Sequence, residues 1–273
     1  MADPRNNLDL LEFPKIETLS VSTPTSFLRS GPRPSASAGT ELIFGTLFHV
    51  HKIGRGWVWG QSESVMPGNA YPGYVGWVKI SHLGTVRPWS HKTNGLSSPV
   101  FKAANIKSPV QFLLPLGSVL SGKISGDFFQ MADGFVSIRH VQFIDERPIS
   151  PDYVTIAESI IGQPYVWGGV ASFGLDCSGL VQTALRNFGS DAPRDADQQA
   201  KMGSPIKIND SLSGLERGDL VFWKGHVGIM QSATRLLHAN AHHMIVACEP
   251  IKTARDRIEK AAGPITAIRR LKL

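Results

Sequence analysis

The run Asp176-Cys177-Ser178-Gly179-Leu180 sets one of only two cysteines in the chain between small polar residues at the head of a helical pattern. Leu180, Val181, Ala184, Leu185 and Phe188 recur at helical spacing, with Gly189 as a stop just past them, so the spacing predicts a helix carrying Cys177 in its first turn. The unpaired N–H groups and partial positive charge of a helix N-terminus favour a thiolate. Two histidines follow in strand-like settings, Lys224-Gly225-His226-Val227-Gly228-Ile229 and Leu236-Leu237-His238-Ala239-Asn240. A thiol, a base and a residue to orient the base are the parts needed for nucleophilic acyl transfer.

Cys177 and His226 lie 49 residues apart, so they can meet only through the fold, whereas His226 and His238 are 12 apart and can meet across a hairpin. Segments 221–230 and 236–240 read as strands and 231–235 as the turn between them. Side chains alternate faces along a strand, so the two imidazoles share a face only if the connection holds an odd number of residues, for example 231–233. A slip of one residue would separate them. Asn240 shares the face of His238 and is the alternative orienter. Cys248, in the apolar run Ile245-Val246-Ala247-Cys248, reads as structural. His238, His242 and His243 raise the question of a metal, since His at i and i+4 can share a helix face. The flanking runs are strand-like, however, and no second cysteine or carboxylate cluster completes a set, so neither a metal nor another cofactor is expected.

Further motifs lie around these residues in a fixed order. Tyr165-Val166-Trp167-Gly168-Gly169 precedes the cysteine; Pro193-Arg194-Asp195 with Gln199, then Gly218-Asp219-Leu220-Val221-Phe222, separate it from His226. In order and spacing the set resembles the NlpC family of bacterial cell-wall cysteine peptidases, over about half the chain. The resemblance implies an α+β papain-like catalytic domain whose cysteine heads a helix packed on an antiparallel sheet. Carried over by position, Cys177 is the nucleophile, His226 the general base and His238 the orienting residue. Tyr165 and Trp167 match substrate-facing aromatics, and Asp176, Ser178 and Asp195 match polar groups that hold a γ-D-Glu unit and its N-terminal neighbour. Ala196 stands where some relatives have Ser.

The first half alternates glycine and aromatic residues in short β-type runs. Gly56-Trp57-Val58-Trp59-Gly60-Gln61 and Gly73-Tyr74-Val75-Gly76-Trp77-Val78 read as consecutive strands, and Gly126-Asp127-Phe128-Phe129-Gln130-Met131 with Gly134-Phe135-Val136-Ser137-Ile138-Arg139 reads as a second copy. The first copy carries extra residues around Ser64-Val65-Met66-Pro67-Gly68-Asn69-Ala70-Tyr71. These modules resemble bacterial SH3-like domains that accompany NlpC-type domains. In such relatives the first module recognises the free amine of an N-terminal L-Ala with a Tyr and an acid; Tyr74 is the candidate Tyr, and Glu41 and Glu63 are candidates for the acid.

The expected fold is therefore an α+β papain-like catalytic domain, 149–273, preceded by two small all-β SH3-like barrels, 35–90 and 91–148, and an N-terminal extension, 1–34. At 273 residues, with 42% hydrophobic and 18% charged residues, the composition is that of a globular chain. No apolar run reaches the roughly 18 residues of a membrane helix, so no membrane partner is expected. A net charge of +6 is scattered, and the Arg269-Arg270-Leu271-Lys272 tail reads as a solvated end, so no nucleic acid is expected either. The start, Met1-Ala2-Asp3-Pro4-Arg5, lacks the basic and apolar regions of a secretory signal, and the unpaired cysteines suit a reducing compartment; both point to the cytoplasm. The resemblance implies hydrolysis of the bond between γ-D-Glu and a diamino acid, meso-diaminopimelate being the expected one, in murein-derived peptides of the form L-Ala-γ-D-Glu-diamino acid, as part of cell-wall recycling. The alternative is a secreted wall hydrolase tethered by its SH3-like modules.

Overall fold

The computed structural model describes residues 3, 5–63, 71–146, 150–207 and 211–273. It forms two compact units, Met1–Glu146 with Ala171–Phe173, and Arg147–Val170 with Gly174–Leu273.

The first unit is all β. Strands β1 (Glu17–Val21), β2 (Thr25–Arg29), β3 (Ala38–Ile43), β4 (Leu47–Gly54), β5 (Trp57–Ser62), β6 (Val75–Lys79) and β7 (Leu83–Gly84) form one sheet in the order β3-β2-β6-β5-β4-β1-β7. Val21, Leu28, Phe48, Val50, Val58 and Val78 form its core because alternate residues of each strand turn inward. The glycines between the aromatics answer to crowding: a Cβ on Gly60 would lie 1.9 Å from the carbonyl oxygen of His49. β1 and β2 lie inside the segment 1–34 expected to be an extension. They join the module because they supply Val21 and Leu28 to its core, and the Pro/Ser-rich stretch after them is a connection within the sheet. Most of the long loop that distinguishes the first copy, 64–70, falls outside the described residues.

The second copy comprises β8 (His91–Thr93), β9 (Ser97–Phe101), β10 (Val110–Pro115), β11 (Val119–Leu120), β12 (Gly122–Ser125), β13 (Phe128–Met131), β14 (Gly134–Ser137) and β15 (Val141–Phe143). They form a five-stranded sheet, β10-β9-β14-β13-β12, and a three-stranded one, β11-β8-β15. The repeat is literal in one respect: β6 and β14 each run into a 3-10 turn, Ile80–His82 and Ile138–His140. Phe44 of the first copy packs into the second copy's core with Leu114, Leu120 and Phe129, which explains why the two copies form one unit.

The second unit is α+β. After α1 (Tyr153–Ser159) and a short hairpin, β16 (Val170–Ala171) and β17 (Gly174–Leu175), come α2 (Cys177–Phe188) and α3 (Ala196–Gln199). The remaining elements are β18 (Ser204–Pro205), β19 (Asp219–Trp223), β20 (His226–Ser232), β21 (Arg235–Asn240), β22 (Ile245–Pro250), α4 (Ile251–Ala262) and β23 (Ala267–Arg270). The strands form one antiparallel sheet in the order β18-β23-β19-β20-β21-β22. Val221, Trp223, Met230 and Leu236 on one face of it pack with Ile251 and Ala254 of α4.

Segment 221–230, expected as one strand, is two. Lys224 and Gly225 turn the chain between Trp223 and His226, with Gly225 at φ 73°, a left-handed conformation that glycine adopts without strain. Asp219 at the head of β19 is fully buried and takes the Arg270 guanidinium on both oxygens, at 2.7 and 2.8 Å, fastening β23 to the sheet. Replacing Asp219 with Ala strands part of that charge, and because Arg270 is partly exposed the cost should fall near the low end for a broken buried pair, about 2 to 3 kcal/mol. Urea unfolding of Asp219→Ala should show that loss; an unchanged midpoint would mean the pair does not hold the strand.

Candidate active site

The helix of Cys177 begins where the spacing puts it. Asp176 is its N-cap, with Oδ1 accepting the Gly179 N–H at 2.7 Å, and Gly189 closes it at φ 89°. Leu180, Val181, Ala184 and Leu185 are fully buried. The helix start is pressed against the Gly168-Gly169 loop so closely that a Cβ on Gly179 would lie 2.1 Å from the Gly169 carbonyl oxygen. Only glycine fits there.

Asp176 also accepts the Gly168 N–H at 2.9 Å and pairs with Arg194 at 3.0 and 2.5 Å, both side chains being buried. Ser178 Oγ donates to Asp176 and accepts from Arg194 at 2.9 Å. Gln199 donates to the Ser178 and Pro193 carbonyls at 3.0 and 2.9 Å. Asp176 and Ser178, expected as substrate contacts, thus hold the platform beneath the cysteine, and the Asp176 carboxylate already accepts five hydrogen bonds. Asp195 caps α3 in a capping box with Gln198.

The histidines come from β20 and β21. Their pairing runs from Ser232↔Arg235 through Met230↔Leu236 to Ile229↔Leu237, with a register shift between Met230 and Ser232. The turn itself holds two residues, not the odd number expected; the extra residue, Gln231, is a bulge within β20, and it restores the parity that puts His226 and His238 on one face. Past Ile229 the two strands no longer pair.

His226 Nε2 and His238 Nδ1 lie 2.8 Å apart, and His238 Nε2 lies 2.9 Å from Glu249 Oε1. Glu249 is clasped by Arg257 of α4 through both oxygens, at 2.7 and 2.5 Å. Burial works against its ionisation, but the hydrogen bonds from Arg257 and His238 outweigh that and hold the carboxyl well below the usual carboxylate range. An ionised carboxylate only accepts, so His238 must carry its proton on Nε2. Neutral His238 then accepts at Nδ1, His226 donates from Nε2, and the lone pair of neutral His226 is on Nδ1.

Cys177 and His226 are both uncharged at rest. Burial, the neighbouring His238 and the Arg257 charge push His226 down to about 3, Glu249 opposing. Burial and the Asp176 charge push the Cys177 thiol up to about 11, against the Val227 N–H, Arg194 and the Ser178 N–H. The preorganised thiolate anticipated from the helix terminus alone is therefore overridden by desolvation. Tyr165 is raised to about 12 by burial and then by the charges of Cys177 and Asp176.

Residues 162–257 match the NlpC/P60 family, and residues 28–83 match the bacterial dipeptidyl-peptidase Sh3 domain. The chain is a cysteine peptidase with an NlpC/P60 domain. It is 29% identical over 218 residues to a γ-D-glutamyl-L-lysine dipeptidyl-peptidase of Bacillus subtilis, 73% of this chain and 71% of that protein. A Bacillus cereus protein of the same name is 30% identical over 124 residues, 42% of this chain and 36% of the other. In fold, the chain is similar to the crystal structure of an NlpC/P60 family protein from Bacillus cereus, with a TM-score of 0.75 at 18% identity, covering 93% of this chain and 99% of that one.

The other expected contacts fall in both units. Trp167 of the NlpC/P60 domain is 70% exposed, as a substrate-facing ring can be, while Tyr74 lies 6% exposed in the core of the first β module. Glu41, of the same unit, accepts the Ala171 N–H at 3.1 Å, and Glu63 pairs with His49 at 3.2 Å. Asn240 does not orient His226: its Oδ1 holds His243 through the backbone N–H at 2.8 Å and Nδ1 at 3.0 Å. Cys248 is half-buried in polar company, its sulfur meeting Arg235 at 3.3 Å and Gln231 at 2.9 Å.

Glu249 and Arg257 escaped the sequence argument. The signal was parity: in the pairing of β21 with β22, His238 faces Ala247, so Glu249 two residues on shares its face, whereas Cys248 takes the other. Glu249→Ala should lower kcat on the order of 100-fold by freeing the His238 ring, with the fold retained by circular dichroism; unchanged kcat would remove Glu249 from the chain. The uncharged resting pair makes a second prediction. Iodoacetamide modification of Cys177 should keep accelerating from pH 6 to pH 9, and a plateau below pH 7 would reveal a standing ion pair.

Proposed function

We propose that Cys177 attacks a γ-D-glutamyl amide with His226 as general base and His238 as its orienting residue. Nδ1 of His226 takes the thiol proton as the carbon–sulfur bond forms, and then passes it to the departing amine of the diamino acid. Water, deprotonated by the same nitrogen, cleaves the thioester and restores the thiol. The Cys177 N–H, in the first turn of α2 and without an intrahelical acceptor, is a donor for the developing oxyanion. The observation that carries this reading is the unbroken run from His226 through His238 and Glu249 to Arg257, which fixes the basic nitrogen on the side away from His238.

The substrate class follows from two supports. The dipeptidyl-peptidase Sh3 match and the γ-D-glutamyl-L-lysine dipeptidyl-peptidase relatives both favour a murein peptide cut two residues from a free N-terminus, L-Ala-γ-D-Glu-diamino acid. The diamino acid is meso-diaminopimelate or L-lysine. A free amine at L-Ala suits peptides already released from the wall, as in recycling.

Defined peptides of both kinds, free and N-acetylated, should be digested and the products identified by mass spectrometry. We expect cleavage after γ-D-Glu by the wild type and none by Cys177→Ala. Acetylation removes a charge-assisted hydrogen bond at the amine and should lower kcat/KM roughly 5- to 150-fold, equivalent to about 1 to 3 kcal/mol. Equal kcat/KM for free and acetylated peptides would favour a hydrolase of intact wall.

A further inference from the structure

One ring nitrogen each from His238 and His243 and one oxygen of Glu249 all lie within 4.8 Å of one another. No carboxylate stands beside these histidines in the sequence; β22 brings one. The residue that drops out is His242, because 238–243 is a strand end and a turn, so the helical i, i+4 relation does not apply. His243 is exposed, and its orientation is built. The Asn240 atom that accepts the His243 backbone N–H must be the amide oxygen, so the His243 Nδ1 it also meets carries the ring proton, leaving the lone pair on Nε2. Fixing a ligating imidazole by a carbonyl on its other nitrogen is the usual support of a metal-binding histidine. Between His238 Nε2 and Glu249 Oε1 the separation is 2.9 Å; bonds of about 2.0 to 2.2 Å to a tetrahedral ion need roughly 3.3 to 3.5 Å, a small opening.

We propose that His238, His243 and Glu249 form an inhibitory site for a divalent transition-metal ion of the zinc type, with water as the fourth ligand. The ion takes the position of the proton between His238 Nε2 and Glu249. Neutral His238 must then hold its proton on Nδ1, His226 must accept it at Nε2, and the His226 proton moves to Nδ1. No proton is released overall; two change ring nitrogen. The nitrogen that serves Cys177 as base becomes a donor, and turnover stops without the metal touching the thiol. The inhibition rests on the roles given above to His226 and His238, whereas the binding does not.

Two measurements separate those claims. Calorimetric titration of ZnCl2 into Cys177→Ala, which lacks the thiol as a competing ligand, should show one ion per chain. The double variant Cys177→Ala/His243→Ala should bind about 100-fold or more weakly, since even the loss of a supporting residue outside a ligand set costs roughly 10- to 100-fold. Mg2+ should not bind, because the set is rich in nitrogen. In the active enzyme, His243→Ala should keep its basal turnover but need a correspondingly higher ZnCl2 concentration for half inhibition. Binding that is absent from Cys177→Ala, or indifferent to His243, would overturn the site. Tight His243-dependent binding without inhibition would preserve the site but overturn its coupling to the histidine pair.

Discussion

The hairpin of β20 and β21 turns through Ala233 and Thr234, two residues, yet keeps His226 and His238 on one face because the pairing shifts between Met230 and Ser232. A regular two-residue hairpin would have sent one imidazole to each face. Beyond Ile229 the two strands stop pairing. The shared face of His226 and His238 thus depends on one surplus residue in one strand.

The helix side of the site is fixed by a different interaction. Asp176 and Arg194 form a buried pair that also caps α2 and holds the Gly168 N–H, with Ser178 and Gln199 completing the network. A buried pair with every partner in place is rigid, and a rigid support is what a nucleophile needs when its rate depends on sub-ångström placement. Residues that look like a polar substrate pocket in the sequence are in this way largely consumed by the platform.

Burial decides the charge state. It raises the thiol and lowers His226, so both groups are neutral at rest even though Cys177 stands at a helix N-terminus. Behind His238 the charges are those of Glu249 and Arg257, which set its tautomer and cancel as a pair. The same arrangement makes His238 Nε2 a point at which exchanging a proton for a metal ion would be felt at His226.

The sequence by itself determined the parts that depend on local rules. Helical spacing after Cys177, the Asp176 cap and the Gly189 stop set α2; alternation and aromatic-glycine repetition set the β modules; and the ordered motifs marked the cysteine and both histidines. Local rules could not reach the bulge at Gln231, because one surplus residue leaves no mark in strand periodicity. Nor could they assign β1 and β2 to the first module, since membership follows from the burial of Val21 and Leu28 among distant strands. Glu249 and Arg257 joined the site only when β22 and α4 came together on one sheet face, and the neutral thiol emerged only when packing removed water from around it. Those outcomes belong to the tertiary structure because pairing register and desolvation are set by residues far apart in the chain.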